Sequence, residues 1–153
     1  MKKKILILAG GFSKEREISL KTAKGVFDVI KKKYTTKICE PDGNLIKNLR
    51  SFKPDVVFNA LHGRYGEDGY IQSILETEKI KYTHSGVLSS SIAIDKEISK
   101  KIFIKNNILT PNFLKFKFNK FIKKNVLIKK IKSKLGFPVV VKPFNEGSSV
   151  EVY

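Results

Sequence analysis

Cysteine is nearly missing from this 153-residue chain: Cys39 stands alone. One cysteine excludes an intrachain disulfide and a cysteine metal cluster, and a reducing, cytoplasmic setting is the simplest home. Long apolar runs are also missing. Nothing approaches the ~18 consecutive apolar residues of a membrane span, so no membrane partner is expected. The opening MKKKILILAGG has the lysines of a signal peptide, but its apolar run from Ile5 to Ala9 is too short and Gly10-Gly11 ends it. Arginine is scarce: Arg16, Arg50 and Arg64 are the only ones in a chain of formal charge +17. Readers of bases and phosphates lean on arginine's bidentate fork, which lysine lacks. The lysines are spread along the second half, and Lys, Ile, Asn and Phe are abundant where Ala is not, the drift of an AT-rich genome. The excess charge therefore reads as a solvated lysine surface, with no nucleic acid expected. The competing reading, a basic nucleic-acid-binding module without enzymatic activity, predicts salt-sensitive DNA or RNA binding.

What is present fits a globular protein. Hydrophobic residues make up 41% and charged residues 29%, and a chain near this length hides roughly 70% of its unfolded surface. Lys4 to Leu8 is short, continuous and apolar, as in a buried parallel strand. Ile18, Leu20, Ala23, Val26, Phe27 and Ile30 fall on one face of a helix that Ser13 is placed to cap. TTKICE and DVVFNA read as further strands with the helix NLIKNLRSF between them, and a helix through about Glu78 leads to the strand and turn KYTHSG. Ser85–Ile94 and DKEISKKIFIKN read as helices. The alternation predicts a doubly wound parallel α/β domain over residues 1–94. Residues 95–153 read as the start of an α+β domain: a strand in TPNFLKFKF, a helix marked by Phe121, Ile128, Ile131 and Leu135, a buried strand PVVVKP and its hairpin partner SSVEVY.

In such a sheet ligands bind at the carboxyl ends of strands, where the strand order reverses. Two loops leave such ends, one carrying Glu15 and one carrying His62. Gly10 and Gly11 either let a ligand approach or only make a tight turn, and they do not form G-x-G-x-x-G. Glu15 either serves a site or pairs with Lys14 or Arg16 at a helix start. His62 is either a ligand contact or a hydrogen-bonded core histidine. GRYGEDG spends three glycines around Arg64, Glu67 and Asp68 at one strand end, although the two acids could simply cap the next helix. In PVVVKPFNEGSS, Lys142 ends an apolar strand, so its stem is expected to be buried and its ammonium held at a fixed point suited to a phosphate. Gly147, Ser148 and Ser149 offer the parts of an anion nest, or of a Gly-Ser hairpin turn.

The segments LAGGFSKEREISLKTA, LHGRYGEDGYIQSILE, YTHSG followed by AIDKEISK, and GFPVVVKPFNEGSSV stand in the order and spacing of D-alanine–D-alanine ligases of the ATP-grasp superfamily, which the whole chain resembles. The first two motifs are specific to that ligase; the lysine-bearing strand is shared more widely, so another ATP-grasp ligase is the minor alternative. The resemblance implies an amino-terminal substrate-binding domain (1–94) followed by an incomplete ATP-grasp central domain (95–153). It implies that Glu15 holds the ammonium of the first D-alanine, with His62 and Gly63 in the same substrate pocket. Lys96 and Lys142 then bind the phosphates of ATP, with Glu146, Gly147, Ser148 and Ser149 on the same nucleotide side. Ser148 also joins a catalytic network with Glu15. The chemistry implied is ATP-dependent: the first D-alanine becomes an acyl phosphate, and the amine of the second attacks it, in peptidoglycan precursor synthesis.

Two positions depart from the family pattern, His84 where YTGSG is usual and Glu151 where SSVG is usual. The resemblance also places the Mg²⁺ carboxylates, the arginine facing the reaction centre and the adenine pocket later in the chain than Tyr153, so no metal ligand is assigned here. The expectation is an amino-terminal fragment of a longer ligase, inactive alone, homodimeric when complete, with apolar edges that favour association.

Overall fold

The computed structural model describes residues 2–117, 123–144 and 152–153. Four strands form one parallel sheet in the order β2-β1-β3-β4. They are β1 (Lys4–Leu8), β2 (Thr35–Cys39), β3 (Val56–Asn59) and β4 (Lys81–Tyr82). Helix α1 (Arg16–Ile30) joins β1 to β2, α2 (Leu45–Phe52) joins β2 to β3, and α3 (Tyr70–Thr77) joins β3 to β4. The doubly wound arrangement expected from the sequence is the one observed.

The unbroken apolar run of β1 follows from its central place, because helices cover both faces of the sheet. Leu6 and Leu8 point to one face, where Leu45, Leu49, Val57, Ile71 and Leu75 of α2, β3 and α3 complete a core. Ile7 and Ala9 point to the other, against Ala23 and the apolar stripe of α1 that includes Leu20, Val26 and Phe27. Burying one such Leu or Ile side chain stabilises the fold by about 1.5–3 kcal/mol. Cys39 lies inside the first core, and burial pushes its thiol pKa up, which suits packing rather than reaction.

Polar ties hold the helices to the sheet. Arg50 of α2 grips Glu78, just past α3, through two hydrogen bonds of 2.9 and 2.7 Å, and this pairing holds the Glu78 carboxyl below its usual range. The pair is at the surface, so it orients the two helix ends more than it stabilises them. The Tyr82 hydroxyl donates to Glu76 at 2.7 Å, and burial together with that carboxylate pushes its pKa up to about 12.

Beyond the sheet come α4 (Val87–Ala93), α5 (Lys96–Lys105) and α6 (Lys124–Lys134). Asp95 caps α5 by accepting from the amides of Glu97 and Ile98, both at 2.9 Å. Glu97 in turn pairs with Lys101 and Lys115, which draws two lysines onto one carboxylate.

Three expectations for this region change. Residues 110–117 have no strand, and among the described residues no strand pairs with them to satisfy an extended backbone. Val140 and Val141, expected in a buried strand, are 66% and 56% exposed, and Lys142 beside them is exposed too, so its stem is not buried. The hairpin survives as a single pair among the described residues, with Val141 and Tyr153 exchanging backbone hydrogen bonds of 2.7 and 3.0 Å. Apolar side chains also face outward on and after α5, where Phe103, Ile104 and Leu109 are exposed. The expected helix marker Phe121 and the departure at Glu151 lie outside the described residues.

After β4 the chain turns at His84, whose φ is +97°, a left-handed conformation that glycine adopts without penalty. A 3.2 Å hydrogen bond between the Asn59 side-chain amide and His84 Nδ1 ties this turn to β3.

Two measurements follow. Urea unfolding of Leu75→Ala is expected to show a loss of about 2–5 kcal/mol, because Leu75 has no exposed surface, whereas Ile104→Ala should cost under about 1 kcal/mol. At the β4 turn, both His84→Gly and His84→Ala remove the bond to Asn59, but only glycine relieves the backbone, so the glycine variant should be the more stable by about 1 kcal/mol; equal stabilities would show that the turn is unstrained.

Candidate functional site

β1 and β3 lie side by side, yet the chain leaves β1 toward β2 at one edge and leaves β3 toward β4 at the other. That is a topological switch point, and it opens a crevice at the carboxyl ends of the two strands. The loops that meet there are residues 9–15 and 60–69.

Glu15 is the residue just before α1 and is only 4% exposed. An added Cβ on Gly63 would lie 3.0 Å from Glu15 Oε2, so the carboxylate rests on a backbone where a side chain would crowd it. Ser13 clasps the two loops: its hydroxyl donates to the His62 carbonyl at 2.8 Å and accepts from the Glu15 amide at 3.1 Å. Ser13 thus makes a loop-to-loop tie rather than the expected helix cap, because α1 starts at Arg16 and its cap position is Glu15, two residues beyond Ser13. Arg16 does not pair with Glu15; its guanidinium reaches Glu40 at 2.6 Å.

His62 is half-buried and polar-bonded rather than enclosed in the core. Its Nε2 lies 3.4 Å from the Thr22 hydroxyl, and its Nδ1 lies 3.7 Å from Glu67 Oε1. It also lines a cavity of about 330 Å³ together with Gly10, Phe12, Arg64 and Tyr65. Glu67 accepts from the Gly63 amide at 2.9 Å, while Asp68 accepts from the Tyr70 amide at the start of α3. The two acids of GRYGEDG therefore divide: Glu67 serves the loop, and Asp68 takes the first amide of α3 from just before its cap residue, Gly69.

Sequence reasoning passed over Asn59. It is 2% exposed, its side-chain amide donates to the Gly66 carbonyl at 2.8 Å, and its side-chain oxygen accepts from the Leu61 amide at 3.1 Å. Gln72 donates to the same Gly66 carbonyl at 2.8 Å. These two buried amides shape the loop that presents His62 and Gly63. The available signal was a polar residue closing an otherwise apolar strand, VVFN.

The lysines expected to face phosphate come from other elements. Lys96 is the first residue of α5, and its amide donates to the Phe144 carbonyl at 3.4 Å, which sets the segment carrying Lys142 against the start of that helix. Lys115 covers the Phe144 ring at 4.4 Å. Glu146, Gly147, Ser148 and Ser149 lie outside the described residues. Among the described residues no three His, Cys, Asp or Glu side chains converge to hold a metal ion. The crevice offers an anionic, backbone-lined notch, and the α5 region offers two lysines.

Comparison with known proteins bears on both groups. The family model described as D-ala D-ala ligase N-terminus matches residues 36–85, and D-ala D-ala ligase C-terminus matches residues 102–153. The D-alanine–D-alanine ligase of Pelagibacter ubique is 68% identical over all of this chain, which spans 50% of that protein. The Wolbachia pipientis ligase is 45% identical over 97% of this chain and 45% of its own length. A crystal structure of the Bacillus anthracis ligase superposes with a TM-score of 0.77 at 36% identity, covering 99% of this chain and 48% of the other. The same ligase complexed with ATP gives a TM-score of 0.73 at 34% identity over 94% of this chain and 48% of the other. The chain thus spans about half the length of the relatives it matches. Both family models and these relatives converge on one assignment: the chain belongs to the D-alanine–D-alanine ligase family.

Proposed function

We propose that this chain carries the site for the first D-alanine, and one side of the nucleotide site, of an ATP-dependent D-alanine–D-alanine ligase. The observation that carries the reading is the buried residue Glu15, whose carboxylate rests on Gly63 at the switch point. A carboxylate removed from water favours a cation that can hydrogen-bond to it, and the ammonium of an amino acid is such a cation. His62, backed by Glu67 and Thr22, borders the crevice and orients what lies beside that ammonium. Gly63 keeps the wall low enough for a small substrate to sit against the backbone.

Lys96 and Lys142 are assigned to the phosphates of ATP, since lysine is a compact charge suited to polyphosphate. Glu146, Gly147, Ser148 and Ser149 are assigned to the same side, with Ser148 linked to Glu15. The nucleotide, when bound, supplies the phosphoryl group that activates the substrate carboxylate; the lysines hold and neutralise it. The carboxylates for Mg²⁺ are assigned, on the family resemblance, to the part of the ligase that this chain does not span. The domain division at residues 94 and 95, the homodimer, the cytoplasmic setting and the role in peptidoglycan synthesis belong to the same proposal.

Two experiments test it. Titration of the chain with D-alanine, followed by ¹H–¹⁵N spectra, should move the Glu15 and Gly63 amides, and Glu15→Gln should weaken that binding tenfold or more, since a buried charged hydrogen bond is lost; unchanged binding would reject Glu15 as the ammonium partner. In the second, the purified 153-residue chain is mixed with ATP, Mg²⁺ and D-alanine and phosphate release is recorded. No turnover above background is expected, and clear turnover would mean that the absent half is dispensable.

A further inference from the structure

Glu40, the first residue after β2, was singled out by nothing in the sequence, yet it sits against the turn that presents Glu15. Its carboxylate makes the 2.6 Å pair with Arg16. The same side chain packs on the turn itself: a Cβ built on Gly10 would lie 2.5 Å from Glu40 Oε2 and 2.8 Å from Cδ. Gly10 holds φ +84° there, and its amide donates to the Ser19 hydroxyl of α1 at 2.8 Å. The position of Glu40 is set by the sheet, because the Ala9 amide donates to the Cys39 carbonyl at 3.0 Å and carries the β1–β2 pairing up to the preceding residue. The turn is therefore held from two sides, by Ser13 on the β3 side and by Glu40 on the β2 side.

The charge arrangement gives this contact a consequence. Arg16 follows Glu15 directly, and an unpaired guanidinium there would compete with any incoming ammonium for the Glu15 carboxylate. We infer that Glu40 is a positioning residue for the substrate site: it draws Arg16 to the β2 side and seats the Gly10 turn, leaving Glu15 available to a small ammonium-bearing substrate. The inference rests on the reading of Glu15 as the ammonium partner.

The test uses the 153-residue chain and D-alanine as the probe. Glu40→Gln keeps the shape and removes the charge, and should weaken D-alanine binding about fivefold, the scale of one half-exposed charge pair. Glu40→Asp should recover part of the loss. Glu40→Gln combined with Arg16→Gln should bind more tightly than Glu40→Gln alone, because the competing cation is gone; a double variant no tighter than the single one overturns the inference, since a purely structural role would make the losses add. Amide hydrogen exchange supplies the arm that does not depend on D-alanine. If the unmodified chain shows no binding, the substrate reading fails, and the role of Glu40 is decided by whether Glu40→Gln speeds exchange at the Gly10 and Glu15 amides. Unchanged exchange in that case rejects it.

Discussion

The parallel pairing of β1 with β3 is the constraint on which the crevice depends. Leu8 stands opposite Asn59, and the Ala60 amide donates to the Leu8 carbonyl at 2.8 Å, so the two strands finish level with each other. Everything beyond that line is loop, and the two loops have to face one another because their helices go to opposite faces of the sheet. A register slip of one residue would turn Leu6 and Leu8 out of one core and Ile7 and Ala9 out of the other. The same packing that stabilises the sheet therefore sets where the loops carrying Glu15 and His62 meet.

The sheet was legible because its signals are local and mutually consistent. KILIL, TTKIC and VVFN are short apolar or β-branched runs bounded by turns, and the α1 stripe repeats at helical spacing. The meeting of the two site loops followed from topology alone. The ties within the loops were not legible. Ser13 lies near a helix start, where a cap is the usual role, but the chain makes an additional turn before α1 begins and its hydroxyl reaches His62 instead. Asn59 looked like the tail of a strand, and Arg16 and Glu40 are far apart in sequence. Such long-range polar contacts leave no periodic trace. The reading of Val139 to Val141 as a buried strand used the same apolar-run signal that worked for β1. It met a different outcome because β1 has strands on both sides, whereas Val140 and Val141 remain exposed.

The excess positive charge has a structural distribution that a net value hides. In the first half, acids are placed one by one: Glu15 in the notch, Glu40 on Arg16, Glu67 on Gly63, Glu78 on Arg50. In the second half, Glu97 engages both Lys101 and Lys115. Surface pairs of this kind add little stability each. Their effect is to decide which cations are occupied and which directions they face, a matter of local geometry that a formal charge of +17 does not express.

The notch itself is costly before a ligand arrives. Glu15 as a whole residue is only 4% exposed, so little water surrounds its side chain, and the Gly63 wall beside the carboxylate is backbone. A protein bears such a cost when the arrangement lowers the reorganisation needed later, because a preset charge does not have to be desolvated and oriented as the substrate binds. That argument requires the carboxylate to stay in place. The Ser13 clasp on one side and the Glu40 contact on the other meet the requirement with backbone-directed interactions, which tolerate little displacement. On the reading proposed above, removing water from Glu15 and fixing its turn are two parts of one arrangement, and recognition of a small ammonium would need both.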